Sequence, residues 1–225
     1  MLLGRREAEC RILDLLVANA REGQSGVIAL VGEPGISKTA LLEHARSAAQ
    51  GMAVLRARGI ESEAQVPFAG LLELLRPALV ALDRIPEPQA AALTGALALR
   101  PASAQDRFAV GAATLNLLAA YADVMPLLVL IDDAHWLDES SSEALLFAVR
   151  RLVADPIAVI LTARTEQRSL LDGADLRLLP IGGLDPVAAA ALLERESPIP
   201  VSAELAATLY RSTAGNPLAL LELDD

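Results

Sequence analysis

The sequence predicts an α/β fold: a mainly parallel sheet sandwiched by helices, followed by a small helical lid. Three observations predict it. Short, uniformly apolar runs alternate with segments of helical spacing, the pattern of parallel strands joined by crossover helices. The first apolar run, Val27 to Val31, leads through a glycine-bearing turn into an amphipathic segment, Ala40 to Gln50. After Gly182-Gly183 the strands cease and helical segments follow one another.

Taken in order, Arg6 to Arg21 reads as an amphipathic helix, with Cys10, Leu13, Leu16 and Val17 on one side. Glu22 to Gly26 is a turn into the first strand. Met52 to Arg58, between Gly51 and Gly59, reads as a second strand. Phe68 to Leu75 is helical and stops near Pro77 or shortly beyond, and Pro86 and Pro88 punctuate. Gln89 to Leu99 and Gln105 to Tyr121 give two more helices. Leu127 to Ile131 has the length and uniformity of a strand buried on both faces, as does Ile157 to Thr162. Between them Ser140 to Val153 is a helix, capped by Asp138 or a nearby serine. Leu176 to Ile181 is a shorter strand. Pro186 to Arg195, Ala203 to Thr213 and Pro217 to Leu223 are helices without intervening strands. The expected division is a core over 1–184 and a lid over 185–225, and the stop just past a helix start reads as a cut inside a longer polypeptide.

The turn between first strand and helix, Gly32-Glu33-Pro34-Gly35-Ile36-Ser37-Lys38-Thr39, has the context of a phosphate-binding loop. Backbone N–H groups of such a turn and of the helix start point at an anion, and the helix dipole adds partial positive charge. Lys38 is placed to reach the outer phosphates, and the Thr39 hydroxyl to ligate magnesium. The pattern is G-x-x-x-x-G-K-[ST] with one departure, Ser37 in place of the second glycine. The strand Leu127 to Ile131 runs into Asp132-Asp133, read as the carboxylates that nucleotide chemistry needs on the neighbouring strand. One would hold the magnesium and the other would orient the attacking water. Arg164, at the end of the run Ile157 to Ala163, is a cation placed to sense the terminal phosphate.

Composition limits the alternatives. Hydrophobic residues make up 53% and aromatics only 3%, so the core is built from Leu, Ala, Val and Ile, which suits helices on a sheet better than an all-β sandwich. With 19 Lys+Arg against 29 Asp+Glu the net charge is −10, a poor surface for neutralising nucleic-acid phosphates. A lone Cys10 excludes an internal disulfide and a multi-cysteine metal site, and fits a reducing cytosol. The N-terminus becomes charged too soon for a signal peptide, and the most apolar window, Thr114 to Ile131, is interrupted by Asn116, Asp123 and Pro126. A membrane helix needs about 20 clean apolar residues. His44 and His135 lack metal-ligand spacing and read as structural, Trp136 as packing, and Arg150-Arg151 as a solvated helix face. No serine or cysteine nucleophile has a base at suggestive spacing.

Together these elements resemble the signal-transducing ATPases with numerous domains (STAND, within the AAA+ group). Leu2-Leu3-Gly4-Arg5 resembles their hydrophobic-hydrophobic-Gly-Arg opening, Gly32 to Thr39 their Walker A, and Leu128 to Asp138 their Walker B. Pro67 to Leu71, Phe147 to Leu152 and Gly215 to Leu220 narrow the resemblance to the large ATP-binding regulators of the LuxR family, cytoplasmic bacterial transcription activators. The resemblance runs from Leu2 to Leu223. It implies that Leu3, Gly4 and Arg5 lie near the adenine, that Gly32, Glu33, Pro34, Gly35, Ile36, Ser37, Lys38, Thr39 and Ala40 form the nucleotide loop, and that Arg164 is the first sensor. It implies that Pro217 contacts nucleotide from the lid, that the cofactors are ATP/ADP and Mg2+, and that helical repeats and a helix-turn-helix domain follow in the longer chain.

Two departures shape the expected activity. A non-glycine residue in a left-handed conformation costs about 1–2 kcal/mol, a factor of roughly 5–30 if nucleotide binding must supply it. Ser37 is therefore expected to weaken binding without abolishing it. Asp133 stands where many vigorous ATPases of this fold carry the longer Glu, which favours a slow switch over a motor. The alternatives are a degenerate site serving only as a protein-interaction scaffold, separated by nucleotide binding, and an energetic AAA+ motor, separated by turnover stimulated on oligomerisation.

Overall fold

The computed structural model describes residues 6–99, 107–167, 176–197 and 201–222. Its centre is a five-stranded sheet in the order β2-β3-β4-β1-β5, formed by β1 (Gly26–Val31), β2 (Ala53–Arg58), β3 (Leu127–Asp132), β4 (Ile157–Ala163) and β5 (Arg177–Pro180). Every pairing is parallel; Gly26 lies opposite Ala158 and Leu127 opposite Ile157. Every residue of β3 and β4 is buried, which explains their unbroken apolar runs: both strands have neighbours on each side and helices over both faces.

One expectation about this sheet is corrected. The strand ending in Asp132 is not the neighbour of β1, because β4 lies between them. Hydrophobic uniformity marks a strand as central but carries no information on which central strands adjoin.

Alternation along the strands sends side chains to two faces. Ile28, Leu30, Leu128, Leu130, Ala158 and Ile160 meet helices α1 (Glu7–Arg21) and α2 (Lys38–Ala48), through Leu13, Val17, Leu41 and Leu42. Ala29, Val31, Val129, Ile131, Val159 and Leu161 face the other way. There they meet α3 (Ala69–Leu75), α4 (Glu87–Ala96), α5 (Arg107–Ala122) and α6 (Glu139–Val149), through Leu71, Leu93, Leu117 and Leu145.

Element boundaries differ from expectation where proline and capping decide them. After α3 the chain continues past Pro77 as a 3-10 segment, Arg76–Arg84, since proline has no N–H for an α-helical interior but fits the start of a tighter turn. Helix α4 begins at Glu87, ahead of Pro88, because the first turn of a helix needs no N–H from that position. Asp138 caps α6, its carboxylate accepting from Ser141 N, and the helix ends at Val149 rather than Val153.

Three further helices, α7 (Pro186–Glu196), α8 (Ala203–Thr213) and α9 (Pro217–Glu222), pack on one another around Leu184, Ala189, Leu193, Ala206 and Leu220, a cluster separate from both sheet faces. Among the described residues no helix is long and apolar enough to cross a membrane.

Candidate functional site

The loop after β1 begins by prolonging strand pairing, with Gly32 N donating to Ala163 O at 3.3 Å. It then turns through two left-handed residues, Gly35 at φ 75° and Ser37 at φ 77°. Gly35 is required twice over: by its φ, and because an added Cβ would come within 2.5 Å of Leu218 Cβ. Ser37 occupies the conformation for which glycine is the unstrained residue (φ 77°, ψ 24°), and its hydroxyl makes no capping bond to α2. The anticipated strain is therefore present and lacks a local hydrogen bond at the cap to offset it.

Lys38 opens α2 and is buried. Its ammonium donates to Gly32 O and Glu33 O, both at 2.8 Å, bridging the two ends of the loop. Burial pushes its pKa below the ordinary lysine value, while Asp133 and Asp132 pull it back up. Next along α2, Thr39 Oγ1 donates to Asp132 Oδ2 at 3.0 Å.

Asp132 is the best-connected acid of the site and is only 4% exposed. Its other oxygen, Oδ1, accepts from Thr162 Oγ1 at 2.6 Å and from Asp133 N at 3.1 Å. Asp133 N also donates to Thr162 Oγ1 at 2.9 Å, closing a small network at the ends of β3 and β4. Asp133 itself has a positive φ of 50°, and its Oδ2 lies 3.3 Å from Arg58 Nη2 at the end of β2. Arg164 follows β4 and holds its guanidinium carbon 5.9 Å from the centre of the Trp136 ring.

These groups surround one cleft of about 410 Å³, lined by Pro34, Gly35, Ser37, Lys38, Thr39 and Ala40 of the loop, Asp132 and Asp133 of β3, and Arg164. Pro217, Leu218 and Leu221 of α9 close its far side. Of the expected site residues, Ser37, Lys38, Thr39, Asp132, Asp133, Arg164 and Pro217 thus share one space although they span most of the chain. Glu33 is exposed, and Ile36 is buried in the core beside α2. Leu3, Gly4 and Arg5 lie outside the described residues.

Sequence reasoning missed three contributors. Arg6 is 3% exposed, and its guanidinium donates to Ile36 O at 2.9 Å, to Gly182 O at 2.8 Å and to Glu9 at 3.1 Å, fastening the start of α1 to the loop and to the stretch after β5. Its signal is the run Arg5-Arg6, of which the resemblance gives a role only to the first arginine. Thr162 is a lone hydroxyl in an apolar strand, and Arg58 ends an edge strand. Both become meaningful only when the strand order is known. His135, read as structural, has both ring nitrogens buried without a hydrogen-bond partner, and burial pushes its pKa below 6.5. His44 pairs with Asp14 at 2.8 Å between α2 and α1. Arg151 stacks on Phe147 at 3.6 Å, on the exposed face expected for it.

Loop N–H groups, a helix start, an ammonium, a hydroxyl–carboxylate pair and a guanidinium around one cleft suit a polyphosphate carrying a divalent cation. The donors fit magnesium in kind: hard oxygens, one of them anionic. Among the described residues no group of three or more His, Cys, Asp or Glu side chains is placed to hold a metal ion. Thr39 and Asp132 would therefore share magnesium with phosphate oxygens and water, as that ion prefers.

Sheet order, loop and acidic strand define a P-loop nucleoside-triphosphatase fold. The chain belongs to the AAA ATPase domain family, which matches residues 3–161. Solved structures agree on the fold. One is a STAND protein with a tetratricopeptide repeat sensor from Pyrococcus horikoshii, at TM-score 0.53 and 21% identity over 91% of this chain and 28% of that one. Another is the Walker-type ATPase of Pyrococcus abyssi, at TM-score 0.60 and 16% identity over 97% of this chain and 66% of that one. Cdc6p from Pyrobaculum aerophilum matches at TM-score 0.57 and 16% identity, over 97% of this chain and 60% of that one. The chain thus spans less than two thirds of each of these longer proteins. No curated protein matches it by sequence.

Proposed function

We propose that this chain is an ATP/ADP-binding switch domain of a cytoplasmic bacterial regulator of the LuxR family, which binds Mg-ATP and hydrolyses it slowly. The observation that carries the reading is the Thr39–Asp132–Thr162 network beside the phosphate-type loop. It brings a hydroxyl and a carboxylate from separate elements to the position where a metal–phosphate pair would sit.

In this reading the loop N–H groups and the α2 start hold the β- and γ-phosphates, and Lys38 turns from the Gly32 and Glu33 carbonyls towards them. Thr39 and Asp132 would hold magnesium, which when bound would supply charge neutralisation at the phosphates. Asp133 accepts a hydrogen bond from the attacking water, and Arg164 stabilises charge on the terminal phosphate. Residues 1–184 form the ATPase core and 185–225 the lid, whose Pro217 contacts the nucleotide. Helical repeats and a helix-turn-helix domain elsewhere in a longer chain would read inducer and DNA, which suits the acidic charge of this piece. ATP and ADP shift the lid only through contacts that differ between them.

The test is single-turnover phosphate release with Mg-ATP, for the native chain and for Asp133→Asn. The reading expects slow release from the native chain, and loss of release with retained ATP binding in the variant. Release equal in both would contradict it. A second reading, a degenerate site serving as an interaction scaffold, is favoured by one observation: Ser37 holds a left-handed conformation at the phosphate loop. Failure of ATP and ADP to bind would select it.

A further inference from the structure

The helical segment and the phosphate-type loop touch at a contact made by Asn216, the residue just before α9. Its amide Nδ2 donates to Pro34 O at 2.9 Å, across 182 residues. Its Oδ1 faces the other way and accepts from Leu218 N at 3.1 Å and Ala219 N at 3.4 Å, capping α9. Leu218 N also approaches Gly35 O at 3.4 Å. One planar amide therefore joins the first turn of α9 to the crest of the loop, with its two ends assigned opposite tasks by their donor and acceptor chemistry.

The arm carrying Asn216 is held on its other side as well. Gly215, at φ 74°, lies so close to the chain after β5 that an added Cβ would come within 2.3 Å of Leu184 O, and Gly215 O accepts from Leu184 N at 2.8 Å. Arg6 ties the same stretch to the loop, through Gly182 O and Ile36 O. With the arm fixed at its root by backbone packing, and beside the contact of Leu218 with Gly35, the Asn216 amide adds a side-chain link between loop and α9. Pro217, which lines the cleft, is the next residue.

We infer that Asn216 is a positioning residue: a latch that couples the conformation of the phosphate-type loop at Pro34-Gly35 to the placement of Pro217 and α9. It acts without touching the ligand. The inference rests on the proposed nucleotide switch for its consequence, but the latch itself exists without nucleotide. A change in the loop that rotates the Pro34 carbonyl would release or reseat the arm, giving a mechanical link between what occupies the loop and where the far wall of the cleft lies.

Asn216→Ser tests this. Serine keeps a neutral oxygen able to cap α9 but is too short to bridge to Pro34 O. Hydrogen exchange is measured first on the nucleotide-free chain. The expected result is about five-fold faster exchange of the α9 amides from Leu218 to Glu222, the scale of one net hydrogen bond. Exchange in α8 and the sheet should be unchanged. Calorimetric titration of Mg-ATP into both proteins is the second reading, with a similar several-fold loss of affinity expected in the variant. Unchanged exchange in α9 would overturn the latch whether or not nucleotide binds. Faster exchange with unaltered ATP affinity would overturn the coupling. If the native chain binds no nucleotide, the proposed function fails, while the exchange comparison still decides the latch. Asn216→Asp should show the same faster exchange, since its carboxylate caps α9 but offers no donor to Pro34 O.

Discussion

Thr39 Oγ1 and Asp132 Oδ2 stand 3.0 Å apart, joined by a hydrogen bond between the first turn of α2 and the end of β3. The intervening strand β4, which lies between β3 and β1, contributes Thr162 to the same carboxylate. The acid is thus held rigidly, with its outer edge turned to the cleft. Asp132→Asn preserves size and part of the hydrogen bonding but removes the charge that attracts a divalent cation. ATP affinity measured with magnesium and with excess chelator should differ in the native chain and converge in the variant. A magnesium effect of equal size in both would show that Asp132 does not serve the metal.

Arg58 and Asp133 form a half-open ion pair at 3.3 Å, with Arg58 65% exposed. Such pairs stabilise by about 0–1 kcal/mol, so Arg58→Ala should leave the fold intact. The pair does turn the Asp133 carboxylate towards β2. Freeing it should raise the single-turnover rate by up to about five-fold, the kinetic equivalent of that energy, with ATP affinity little changed. A lower rate in the variant would mean that Arg58 assists the reaction.

Arg6 is a buried cation held mainly by backbone carbonyls through Nη2, while its Nε is buried without a partner. Arg6→Met should destabilise the chain by roughly 3 kcal/mol, since hydrogen bonds to charged groups are worth about 1.5–3 kcal/mol each. Arg6→Lys should recover only part of this, because one ammonium can replace Nη2 at Ile36 O and Gly182 O but cannot at the same time hold Glu9 as Nη1 does. Urea unfolding measures both; full rescue by lysine would contradict this.

His135 gives the fold a pH dependence. Burial lowers its pKa; Asp133 and Asp132 raise it, while Arg164 and Lys38 lower it further. A folded-state pKa below the unfolded value of about 6.5 means that the unfolded chain binds the proton more readily. The contribution is fully present above pH 6.5 and is lost as pH falls through the folded value. Denaturation midpoints between pH 7.5 and about 5 should therefore fall more steeply for the native chain than for His135→Phe. Parallel curves would show that His135 is protonated equally in both states.

The loop and its flanking strand and helix were legible in the sequence because they are contiguous: Val27 to Gln50 contains the whole local arrangement. The strands Leu127–Asp132 and Ile157–Ala163 were legible as buried because burial on two faces leaves an unbroken apolar run. Their order was not, and the residues whose meaning depends on that order escaped with it. Thr162 contacts Asp132 only because β4 adjoins β3, and Arg58 reaches Asp133 only because β2 lies on the other side of β3. Asn216 was visible only as part of the stretch Gly215 to Leu220 that carries the resemblance, because its grip on Pro34 is a contact across nearly the whole chain. The left-handed strain at Ser37 was legible, because the loop pattern specifies the conformation and the sequence names the residue that must adopt it.

The central claim is that the cleft is a working nucleotide site strained at Ser37, and calorimetric titration of Mg-ATP into the native chain and into Ser37→Gly tests it most directly. The account predicts binding by both, tighter in the glycine variant by a factor of roughly 5–30, the affinity equivalent of the left-handed strain. Absence of binding by both proteins would contradict it.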